Sequence, residues 1–177
     1  MNLVAWTIVA CEIGFWVFIV LGLITRYIFN LKKAGLFILA MTPVTDLVLI
    51  VVTGIDIYHG ATATIAHSIA PAYLALSIIF GKDMVRWADK RFLYYVKRKG
   101  GKPERKIGME YAKHSMRGTL KHILAYIFGG GILLLMTLYI DDKNKTEELW
   151  ATLSFWGVVV LIDIFISVTY FIWPRKK

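Results

Sequence analysis

The chain has 177 residues, 58% of them hydrophobic, and carries a formal charge of +9. Soluble domains run at about 45–50% apolar. The excess here falls into five blocks, each near the ~20 residues that cross a bilayer, which excludes an ordinary soluble domain. A single cysteine, Cys11, excludes an intrachain disulfide and any cysteine-based metal motif.

The blocks predict an all-α, polytopic membrane protein that forms one integral domain over 1–177. Its five transmembrane helices are expected at about 3–25, 34–57, 61–81, 119–140 and 149–172. The first block has no Lys or Arg before Thr7 and no small-residue cleavage site after it, so it reads as a retained helix, not a signal peptide. Orientation follows from the basic residues. The first loop holds three, the segment from Lys82 to Lys121 thirteen and the C-terminal tail three, so 19 of the 21 fall on one side. The other side has only Lys143 and Lys145, beside four acids. The expected topology is N-terminus outside and C-terminus in the cytoplasm. The positive charge is then a topology signal and a contact for anionic lipid, and nucleic acid is not an expected partner. Trp6, Trp87, Trp150 and Trp173 fall near the predicted interfaces, where amphipathic rings settle.

The hydrophilic segment 82–118 separates helices 3 and 4. It reads as a basic cytoplasmic helical hairpin, with Met84, Val85, Phe92, Leu93 and Val96 at helical spacing among charges and a break at Gly100-Gly101 and Pro103. Helix 3 is expected to run on beyond the membrane, and a second amphipathic helix to lead into helix 4. Such a hairpin either lies on anionic lipid through residues such as Lys97, Arg98 and Lys99, or docks a membrane or cytoplasmic protein partner. His114 and His122 are expected to be solvated. In helix 4, Gly129-Gly130-Gly131 permits a close backbone approach or a bend.

Three carboxylates fall inside spans. Glu12, Asp46 and Asp163 are expected roughly 15, 18 and 21 Å deep at 1.5 Å per helical residue, within a hydrocarbon core about 30 Å thick. An acid there costs around 2.5–3.5 kcal/mol, and no Lys or Arg is expected at that depth. Either the acids are protonated or hydrogen-bonded glue between helices, or they belong to a proton or cation site. His67 is their expected partner: Pro71 has no N–H, so the His67 carbonyl loses its helical bond. Pro43 does the same to Leu39, just before Asp46. Asp56 and His59 lie three apart near the helix 2–3 turn. With His67 they form a weak candidate set for a divalent metal. A haem between His59 and His67 is disfavoured, because both sit on one hairpin. No nucleophile elbow, phosphate loop, dinucleotide fingerprint or Ser/Lys pair occurs, so enzymatic activity is left open.

Several stretches carry a resemblance: CEIGFWVFIVLGLITRY in helix 1, MTPVTDLVLIVVTGIDIYHGATATIAHSIAPAYLALSIIFGKDMVRWADKRF across helices 2 and 3, and the closing FIWPRKK. The most specific part is HGxxAxxxH followed by FGKxMxxWAD, on Gly60, His67, Gly81, Lys82, Met84, Trp87, Ala88 and Asp89. Together they resemble a family of small uncharacterised multi-pass integral membrane proteins of Bacillus-type Gram-positive bacteria. The resemblance implies this topology and a bacterial plasma membrane, and transfers no activity. The leading expectation is an outer-facing carboxylate/histidine site, with Glu12, Asp46 and His67 at its core and Asp56, His59 and Asp163 beside them, that handles a proton or cation in transport. The alternative is a non-catalytic accessory protein that docks a partner through the basic hairpin. A homodimer is plausible for so small a bundle.

Overall fold

The computed structural model describes residues 3–96, 98 and 106–174. Its elements are α1 (Leu3–Tyr27), α2 (Lys32–Leu39), α3 (Thr42–Tyr58), α4 (Ile65–Tyr95), α5 (Gly108–Ile140) and α6 (Glu147–Ile172). Five helical stretches are long and apolar enough to span a membrane, with α2 and α3 together making the second. Helices suit that role because each satisfies its own backbone polar groups, which lipid cannot do.

The second span corrects the expected single helix. It breaks at Ala40–Met41, because Pro43 cannot donate to the Leu39 carbonyl. The expectation that this carbonyl is free is corrected, since Thr42 Oγ1 donates to it at 2.8 Å. Thr45 Oγ1 donates to the Thr42 carbonyl at 2.7 Å. Two hydroxyls from the local sequence therefore seal the break.

The third span also starts later than expected. Residues 61–64 lie outside any helix, and Thr64 is extended at φ −111° and ψ 169°. Ala63 N–H donates to the Lys145 carbonyl at 2.8 Å, which ties this turn to the α5–α6 loop. At the same end, Ile57, Ala63, Leu133 and Leu149 form a buried cluster, with Met136, Ile140 and Leu153 packed against it. We call this the acidic-loop end, and the end that carries Arg26, Lys32 and Asp89 the basic end.

Helices α4 and α5 extend the spans toward the basic end. At 31 and 33 residues they run to roughly 46 and 50 Å at 1.5 Å per residue, longer than a ~30 Å core. Both extensions are continuous with their spans. Among the described residues the two arms of the hairpin are therefore the ends of these long helices. Lys97 and Lys99 lie outside the described residues, and Arg98 is exposed.

In packing order, α1 rests on α2 and α3, α3 on α4, α4 on α5 and α5 on α6, with α6 also touching α4. Two crossings depend on absent side chains. A Cβ on Gly35 would lie 2.6 Å from Arg26 Cβ and 2.8 Å from the Gly22 carbonyl oxygen. A Cβ on Gly129 would lie 2.8 Å from both the Pro71 carbonyl oxygen and the Trp156 ring. Close approach of small residues replaces the missing hydrophobic drive between helices in lipid. Gly131, by contrast, has open space where its Cβ would be.

Candidate functional site

Helix α3 buries one stripe: Thr42, Asp46, Leu49, Thr53 and Ile57. The spacing of three and four places them on one face, which packs between α1 and α4. Asp46 is only 3% exposed and Thr53 is fully covered. Asp46 Oδ2 and Thr53 Oγ1 are both buried without a hydrogen-bond partner among the described residues. They stand seven residues apart, ~10.5 Å along the helix. Cys11 on α1 lies within electrostatic reach of Asp46, and a Cβ on the nearby Gly14 would touch Thr45 at 3.9 Å. An orphaned buried polar atom costs about 1–3 kcal/mol, so this stripe is held against a standing penalty.

Nearer the acidic-loop end, His67 lies within electrostatic reach of Asp56 on α3 and Glu12 on α1. Glu12 is exposed along its helix and Asp56 is half-buried. Between α1 and α4, Phe15 stacks on Tyr73 with ring centroids 5.6 Å apart. His67 thus lies within electrostatic reach of Glu12 and Asp56, and Cys11 within that of Asp46.

The position expected for His67 is corrected by the structure. It is the third residue of α4, in the first turn, and not seven residues into a helix that begins at 61. Thr64 N–H donates to His67 Nδ1 at 3.1 Å, and the Thr64 side chain accepts from the His67 backbone. This is a capping box with histidine in the place usually taken by Glu or Gln. With Nδ1 as acceptor, the proton of the neutral ring belongs on Nε2. His59 is exposed, and its Nδ1 bonds the Ile55 carbonyl at 2.7 Å. Each histidine thus commits one ring nitrogen to its own backbone. Among the described residues no three His, Cys, Asp or Glu side chains come together to hold a metal ion, so the set of His59, His67 and Asp56 does not assemble.

Asp163 belongs to a different region. His122 Nδ1 on α5 meets Asp163 Oδ2 on α6 at 2.8 Å, and Phe80 packs on the imidazole at 4.9 Å. His122 keeps solvent contact, as expected, with its side chain 44% exposed, and adds a partner that was not expected. Ser167 Oγ meets Thr119 Oγ1 at 2.6 Å and Ser115 Oγ at 2.9 Å. Asp83 on α4 pairs with Lys121 on α5. Ser68 on α4 accepts from Thr152 on α6 at 2.7 Å. The α4–α6 half thus satisfies its polar groups across helices.

At the basic end, Arg26 forks onto Asp89, with Nε to Oδ1 at 3.0 Å and Nη2 to Oδ2 at 2.5 Å. Its Nη1 also donates to the Lys32 carbonyl at 2.9 Å. Tyr27 Oη donates to Asp89 Oδ1 at 3.0 Å, and its ring packs on Phe92 at 4.5 Å. The fork spans 63 positions, which is why sequence reasoning missed it. The available signal was Asp89, one of few acids in a mostly basic segment.

These features define a small polytopic membrane protein with polar groups set between its helices. It is 51% identical over all 177 residues to the uncharacterized membrane protein YmcC of Bacillus subtilis (strain 168), of which 96% is covered. The chain belongs to the same family of small multi-pass membrane proteins. No family model matches it, and no solved structure does.

Proposed function

We propose that this protein handles a proton or small cation at an intramembrane carboxylate site between α1, α3 and α4. The observation that carries the reading is the buried, unpartnered Asp46 Oδ2, aligned with the equally unpartnered Thr53 Oγ1. Glue between helices needs a partner, and Asp46 Oδ2 has none among the described residues. A carboxyl group exchanging protons needs a free lone pair, which Oδ2 keeps. Thr53, about two turns toward the acidic-loop end, offers a hydroxyl that both donates and accepts. Glu12, Asp56 and the Nε2–H of His67 form the mouth of this route. The basic charge asymmetry supports an N-out, C-in orientation in a bacterial plasma membrane, which puts that mouth outside.

The test is proton flux into liposomes containing the purified chain, driven by a potassium diffusion potential and read with a trapped pH dye. Asp46→Asn removes the exchangeable proton and keeps the volume. It is expected to cut flux at least about tenfold while the protein melts at or above the wild-type temperature. Undiminished flux in this variant overturns the reading. A second reading, an accessory protein that docks a partner, draws on the exposed Lys90, Arg91, Lys113 and Arg117 of the helical extensions. It expects a specific co-purifying protein that is lost on their neutralisation.

A further inference from the structure

At the basic end, the tips of α1, α2 and α4 enclose a cleft of about 120 Å³. That space takes several waters, which is enough for a phosphate group. Arg26, Lys32 and Asp89 supply its charges, and Phe92 and Leu93 its apolar wall. Both Asp89 oxygens are engaged by Arg26, and one also by Tyr27. The acid is therefore neutralised in place, and Lys32 leaves the cleft with a net positive charge. Arg26 is only 9% exposed and held rigid. Three of its five N–H donors are used on Asp89 and the Lys32 carbonyl, and Tyr27 also bonds the guanidinium, which leaves at least one donor for a ligand. A fixed guanidinium beside a flexible ammonium suits a phosphate oxygen cage.

The surroundings indicate which phosphate. Beside the cleft, Ile28, Phe29 and Leu31 are exposed at 70, 64 and 57%. Three large apolar side chains next to a charged cleft at the end of a membrane span belong in the interfacial layer, not in water. Headgroup phosphates lie at that depth, and basic pockets between helices take them. We propose that this cleft is a headgroup site for an anionic phospholipid, whose phosphate sits on Lys32 and the remaining Arg26 N–H. The acyl chains run past Leu93 and the Ile28–Phe29 turn. Asp89 is a positioning residue that aims Arg26. The site is distinct from the Asp46 seam.

Native mass spectrometry of the purified full chain with phosphatidylglycerol, phosphatidylcholine or inorganic phosphate tests this. One phosphatidylglycerol is expected to be retained per chain, in preference to phosphatidylcholine. Lys32→Glu is expected to weaken retention about tenfold or more, since one charge-assisted contact is lost and a repulsion added. Lys32→Gln is expected to fall between. Lys113→Glu makes the same charge change on the exposed part of α5 and is expected to stay within twofold of wild type. Lys32 is exposed, so its variants are expected to keep the wild-type melting temperature. Equal losses for Lys32→Glu and Lys113→Glu would mean diffuse attraction and overturn the site. So would equal retention of phosphatidylcholine. Displacement of the lipid by an equal concentration of inorganic phosphate would assign the cleft to free phosphate and overturn the lipid reading.

Discussion

Asp46 in the α1–α3 half and Asp163 in the α5–α6 half present the same carboxyl group from the middle of apolar helices. Their surroundings differ in burial, since Asp46 is 3% exposed and the Asp163 side chain 29%, and in partners. Asp163 meets His122 from the neighbouring helix at 2.8 Å, with the Ser115, Thr119 and Ser167 hydroxyls two turns or less away along the same helix pair. Asp46 lies within electrostatic reach of Cys11, and no described residue satisfies its Oδ2. An intramembrane acid is thus not functional or structural by its own nature. The helix opposite decides, by supplying a partner or withholding one.

The packing contrast should give the largest effect. Gly129→Leu drives a side chain into the Pro71 carbonyl and the Trp156 ring, and overpacking of this kind costs about 3 kcal/mol or more. Gly131→Ala, two residues along, enters open space and is expected to change stability by less than about 0.5 kcal/mol. Thermal melts in one detergent check both. Equal losses at the two positions would break the assignment of Gly129 to the α4–α5–α6 contact.

Next comes the acid contrast itself. Asp46→Leu removes an orphaned carboxylate and is expected to stabilise the chain by about 1–3 kcal/mol, while flux is lost. That is the usual pattern where a site is held at the expense of stability. Asp163→Leu is expected to destabilise, since His122 loses its partner. Opposite signs sharpen the comparison, and a shared sign breaks it. A double-mutant cycle on His122→Phe and Asp163→Asn is expected to give a coupling of about 0.5–1.5 kcal/mol, within the range for hydrogen bonds between membrane helices. A coupling near zero would reduce the pair to proximity.

The smallest effects are in the hydroxyls. Ser167→Ala loses contacts to Thr119 and Ser115 and is expected to cost about 1 kcal/mol at ~0.6 per contact. Thr53→Val replaces an unpartnered hydroxyl by a methyl group and is expected to be neutral or mildly stabilising. A loss larger than that of Ser167→Ala would mean that Thr53 has a partner after all.

Much of the fold was legible in the sequence. Five apolar runs are long enough to cross a bilayer, and a span is a local property of composition, so the number and order of spans follow without tertiary information. Helicity of the segments on either side of Gly100-Gly101 was also readable from spacing. The site was less legible. That Asp46 lies deep and without a basic neighbour follows from counting along one helix. The role of His67 turned on where α4 begins. The signal was the Thr64-x-x-His67 spacing, which resembles a capping box but has an unusual fourth residue.

The sequence by itself determined that this is a five-span membrane protein with an acid in the middle of its second span, because hydrophobic length and helical rise are local quantities. Only the tertiary structure decided which polar groups meet. It joined Arg26 to Asp89 across 63 positions and His122 to Asp163 across 41, and it left Asp46 and Thr53 facing no partner. Helix rotation and crossing set those meetings, through close approaches such as Gly22–Gly35 and Gly129–Pro71. A uniformly apolar helix carries little local signal for its rotation, because most of its faces are equally acceptable to lipid.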